Sequence, residues 1–127
     1  MDQTTLVDID IGIGAAMLKA LDDAGLKVNV ALWVNLSEYD DWRVAFAART
    51  LDADGRRRAF QLVDGAFRKA GIPTYKVPSI LILRMTDPFI RSLRRRFAKA
   101  EHVDGTRLGG QMIGDRFVNG AYVYRIS

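Results

Sequence analysis

The sequence predicts a single α+β domain, a mixed and mainly antiparallel sheet with helices packed largely on one face, in the order α-β-β-α-β-α-β-β. Three observations carry this. Stretches 28–36 and 42–48 alternate apolar and other residues with the period of a strand. Stretches 55–70 and 88–100 repeat apolar residues at helical spacing instead. Finally, 127 residues without an internal repeat, low-complexity tract or Pro/Gly linker read as one unit with one core.

The first element is a helix over 9–24, with Asp8 or Asp10 as N-cap and Gly25 as its stop. Its apolar stripe is Ile11, Ala15, Leu18 and Leu21, flanked by Met17. Gly12 and Gly14 weaken it, each by about 1 kcal/mol, and leave 6–13 open to a strand reading. A hairpin follows. Folding about Tyr39 pairs Leu36 with Trp42, Val34 with Val44 and Leu32 with Phe46, placing these on one core face. The reverse face carries Ala31, Trp33, Ala45 and Ala47 between Asn29, Asn35, Arg43 and Arg49. Such a face is covered by a helix of the same chain, by a subunit, or serves as a ligand platform.

A second helix spans 55–70, with Asp52 or Asp54 near its start and Gly71 and Pro73 at its end. Ala59, Phe60, Val63, Ala66, Phe67 and Ala70 face the sheet. The apolar run 77–83 reads as a central strand buried on both faces. Thr86-Asp87-Pro88 then starts a third helix, Asp87 capping and Pro88 in the first helical position, with Phe89, Ile90, Leu93, Phe97 and Ala100 as its core stripe. Asn119-Gly120 is the expected turn of a last hairpin between 113–118 and 121–126.

Composition narrows the chemistry. The absence of Cys removes disulfides, thiolate metal sites and thiol nucleophiles. An acidic, polar start and the lack of any apolar run near 18 residues predict a cytoplasmic protein without a membrane partner. The net charge of +4 is unevenly spread. Residues 1–64 hold seven Lys and Arg against eleven Asp and Glu, a balance of −4, and residues 65–127 hold twelve against four, a balance of +8. An acidic partner, self-association of unlike faces, or simply an Arg-rich composition accounts for this split.

Its focus is the third helix, where Arg91, Arg94, Arg95, Arg96 and Lys99 form a polar side able to grip phosphates. The plainer reading is a solvated face, with the acidic first half supplying partners. Arg56, Arg57 and Arg58 add to the cationic surface from the first turn of the second helix, where the helix dipole disfavours them; Asp52 and Asp54 stand ready to neutralise them. Other motifs fail on inspection. An EF-hand register from Thr50 lacks its first carboxylate and ends on Gln61 where a bidentate Glu is needed. Gly12-Ile13-Gly14 lacks the third glycine of a dinucleotide loop, with Met17 in its place. His102, the sole His, sits beside Glu101 at a helix end, and no Ser or Thr occupies a nucleophile elbow. The pairs Asp22/Asp23 and Asp40/Asp41 have no Lys beside them for a metal-dependent nuclease. No catalytic residue, metal or cofactor is expected.

Residues 31–34, 41–44, 52–55 with Ala59-Phe60, and the closing Ala121-Tyr122-Val123-Tyr124-Arg125-Ile126 resemble a family of small uncharacterised bacterial α+β proteins. The resemblance implies a bacterial, stand-alone domain and carries no site residue with it. The leading expectation is therefore a non-enzymatic binding or accessory module, possible as a homo-oligomer. It would meet a protein partner or its own copy through Trp33, Ala31, Ala45 and Ala47 or a sheet edge. The alternative is a nucleic-acid or other polyanion binder using the third helix, and an enzyme comes third.

Overall fold

A computed structural model describes residues 8–39 and 41–127; residues 1–7 and Asp40, with the expectations that touch them, lie outside the described residues. The chain runs α1 (Asp8–Asp23), β1 (Val30–Leu36), β2 (Arg43–Ala47), a single turn α2 (Arg49–Asp52), α3 (Gly55–Lys69), a 3-10 turn (Thr74–Lys76), β3 (Ile80–Ile82), α4 (Pro88–Arg96), β4 (Arg107–Ile113) and β5 (Arg116–Ile126). Apart from α2, this is the expected order. The five strands form one mixed sheet in the order β3-β2-β1-β5-β4, antiparallel throughout except for the parallel pair β2 and β3.

Helices α1, α2 and α3 cover one face of the sheet, and α4 alone covers the other. Both faces are therefore core, and β1, at the centre, is buried along its whole length. This explains a register error in the sequence reading. The observed partners are Trp33 with Val44, Leu32 with Ala45 and Ala31 with Phe46, one residue away from pairing about Tyr39. A hydrophobic pattern selects a register only when one face is wet, and here neither is.

The run 77–83 yields a three-residue strand at the sheet's edge, not its centre, because the crossover through α3 sets β3 outside β2. The last hairpin turns at Gly114-Asp115, where Gly114 has a φ of 62°, and not at Asn119-Gly120, which lies inside the eleven-residue β5. A glycine at the first position suits a two-residue turn of the II′ kind. Gly120 instead makes room for Trp42, whose ring would lie 3.0 Å from a Cβ there.

Gly25 and Gly71, at φ 78° and 77°, end α1 and α3 as expected. Asp8 and Asp10 both fall within the first turn of α1. Three residues assigned to helical core stripes, Ala15, Ala70 and Ala100, are exposed. On α1 the inward line runs instead through Gly14, Met17 and Leu21, with Leu18 and Ala20 beside it. Ala100 lies beyond the end of α4.

Candidate polyanion-binding face

The side chains expected to form a protein interface are all inside the molecule. Trp33 is 3% exposed, and Ala31, Ala45 and Ala47 are 0%. The shifted register separates them, with Ala31 and Trp33 facing α1 and α3, and Ala45 and Ala47 facing α4. Trp33 Nε1 donates to the main-chain oxygen of Asp10 at 3.0 Å, and Tyr124 Oη donates to that of Ile11 at 2.5 Å. Gly14 allows this, because a Cβ there would lie 2.8 Å from Trp33 Nε1. Burial pushes the Tyr124 hydroxyl up to about 12. In this fold the Trp33 face is covered by a helix of the same chain.

Helix α4 presents the opposite case. Phe89, Ile90 and Leu93 are each 0% exposed and hold it to the sheet. Its start is fixed by three contacts. Asp87 Oδ1 accepts from the Phe89 amide at 2.9 Å, which is the cap expected from Thr86-Asp87-Pro88. Arg116 reaches Asp87 at 3.4 Å and Glu38 at 2.7 Å, tying the helix start to the loop after β1. Burial of Arg116 works against its charge, but Asp87 and Glu38 outweigh it and its pKa is raised. Gly114 lies against the Pro88 carbonyl so closely that a Cβ would sit 2.6 Å from its oxygen.

With the helix so anchored, Arg91, Arg95, Arg96 and Lys99 are exposed and Arg94 is half-buried. Arg94 Nε donates to the Ser127 main-chain oxygen at 2.8 Å, and Arg95 to Ser92 Oγ at 3.4 Å. Arg96 donates to Gln111 Oε1 and, at 3.4 Å, to the Met112 oxygen. None of these partners is an Asp or Glu side chain. Every ion pair among the described residues lies elsewhere. Three of the cations occupy the last turn of α4, where the helix dipole favours them. Among the described residues the acidic half offers them no ion pair; Asp22 is engaged by Arg125 and Asp23 by Lys19 on α1, across the sheet from α4.

Arg56, Arg57 and Arg58 are also exposed and make no ion pair among the described residues; they stand on α3, which packs on the other face of the sheet from α4, and Arg56 borders a crevice that reaches Asp87 at the start of α4. Asp52 and Asp54 do not neutralise them; Asp52 accepts instead from the Met85 amide at 3.0 Å. His102 is exposed between α4 and β4. Among the described residues no group of three or more His, Asp or Glu is placed to hold a metal ion, and no helix is long and apolar enough to cross a membrane.

Family models, curated proteins and solved structures yield no match to the chain. The resemblance to small bacterial proteins gains nothing from that comparison, and the site is read from its own residues.

What the sequence reading missed is Arg84, exposed just beyond β3, and the crevice it shares with Arg56. The available signal was the pair of short apolar strands on either side of a helix, which is the pattern of a parallel crossover.

Proposed function

We propose that this chain is a polyanion-binding protein that takes nucleic acid on the outer face of α4. The observation that carries this is a set of five cations on α4 and the turn that follows it, none of them paired with an Asp or Glu side chain among the described residues. Residues 84–100 hold six Lys and Arg against one Asp. Arg91 and Arg95 are one turn apart, about 6 Å along the axis, so two guanidinium forks can meet successive groups of a phosphate chain. Binding of this kind draws its free energy from released counterions and reads charge rather than base sequence. The reading based on a protein partner loses its main surface with the burial of Trp33.

The test is retention of a labelled single-stranded RNA and a DNA duplex at about 50 and about 200 mM salt. Both should bind at the lower salt and be released steeply as it rises. The variant Arg91→Glu/Arg95→Glu/Lys99→Glu, with an unchanged circular dichroism spectrum, should lose retention. No binding by the native chain at the lower salt, or full binding by the variant, overturns the proposal.

A further inference from the structure

Strands β2 and β3 are adjacent and parallel, and the segments that leave them part company. After β2 the chain goes to α2 and α3 on one face, and after β3 it goes to α4 on the other. Where successive connections leave a sheet on opposite sides, no segment covers the space outside the strand ends, and α/β sheets bind ligands in that gap. Here the gap is a crevice of about 290 Å³, near the lower end of the range for small-molecule sites.

Its apolar side is formed by Leu51, Ala59, Ile82 and Leu83. Its polar groups are Arg56, Arg84, Asp52 and Asp87. The carboxylates are already committed, Asp52 to the Met85 amide and Asp87 to the Phe89 amide and Arg116. The guanidiniums are not. The Arg56 guanidinium rests 5.8 Å from the centre of the Phe60 ring, and neither it nor the Arg84 guanidinium makes a hydrogen bond or ion pair among the described residues. Two guanidiniums bordering a small apolar hollow suit an anion that has an apolar body.

We propose that this crevice binds a compact organic phosphate, a phosphomonoester whose apolar body lies on Leu51, Ala59 and Leu83 while Arg56 and Arg84 hold its phosphate. None of Arg91, Arg94, Arg95, Arg96 and Lys99 lines the crevice, and the site does not depend on their role.

Phenyl phosphate and inorganic phosphate serve as probes, with backbone amide shifts as the readout. Phenyl phosphate should move the signals of Gly55, Arg56 and Arg84 saturably, and bind more tightly than inorganic phosphate. Arg56→Ala/Arg84→Ala, with a native amide spectrum, should weaken it at least tenfold, whereas Arg91→Glu/Arg95→Glu/Lys99→Glu should leave it unchanged. Shifts centred on α4, equal affinity for the two probes, or an unaffected double variant would overturn the assignment.

Discussion

Gly14 illustrates how a single residue's value is set by what lies opposite it. In the sequence it is a defect in a helix, equal to Gly12. In the structure Gly12 has nothing within 4 Å of a built Cβ, while Gly14 lies beneath Trp33 and Tyr124. Gly12→Ala should therefore stabilise the protein by about 0.5–1 kcal/mol, the usual gain in a helix interior. Gly14→Ala should cost about 1–3 kcal/mol through overpacking. Urea denaturation of the two variants decides it, and equal effects would contradict the close approach. Tyr124 gives the corresponding pH effect. Its hydroxyl ionises near 10 in the unfolded chain and at about 12 in the fold, so the native state holds the proton more tightly. That contribution is complete below about pH 10 and is lost as pH rises toward about 12. Tyr124→Phe should show a smaller fall in stability between about pH 9 and 11 than the native chain. The helix itself was legible from its apolar spacing and Gly25. The reason for Gly14 was not, since Trp33 and Tyr124 reach it only through tertiary packing.

At the level of elements, local chemistry was readable and neighbours were not. Thr86-Asp87-Pro88 produced the cap it promised, because an N-cap is satisfied within one turn of chain. That hydrogen bond supports a graded test. Asp87→Ala removes both the cap and the Arg116 partner, and should cost at least the roughly 0.5–2 kcal/mol typical of a missing cap. Asp87→Asn keeps an acceptor for the Phe89 amide but gives up its charge toward Arg116, and should fall between native and Ala in urea midpoint. An Asn variant as unstable as Ala would place the whole effect in the ion pair. The two hairpins were harder. Between Trp42 and Leu36 the pattern allowed either register, since Leu32 and Trp33 are both buried. Near the C-terminal hairpin, Gly114-Asp115 and Asn119-Gly120 are both good turn dipeptides, and packing against Pro88 and Trp42 separates them. The run 77–83 has no feature that distinguishes an edge from a centre, because α4 and α3 shield even an edge strand here.

Over the whole molecule, the sheet separates the acidic α1 from the cationic α4. The sequence places an acidic half before a basic one, which left open their mutual neutralisation. The fold instead puts the acidic α1 on one face and α4 on the other. In a single Arg91→Gln or Arg95→Gln variant, the salt slope of duplex DNA binding should fall by about 0.9 for each phosphate that no longer meets a cation. Fold class, the glycine stops of α1 and α3 and the capped start of α4 were legible, because each depends on residues close in sequence. Which surfaces remained open was not, because Trp33 is indistinguishable from an exposed tryptophan until α1 is set over it. One arrangement also bears on the order of assembly in time. Strand β1 is flanked by β2, which follows it directly, and by β5, which does not exist until nearly the whole domain has been made. Until then the strand destined for complete burial has one unpaired edge. Pairings between residues as distant as Val34 and Ala121 must close late and slowly. Half-made chains therefore carry an adhesive seam, and crowding them during synthesis favours clumping over folding.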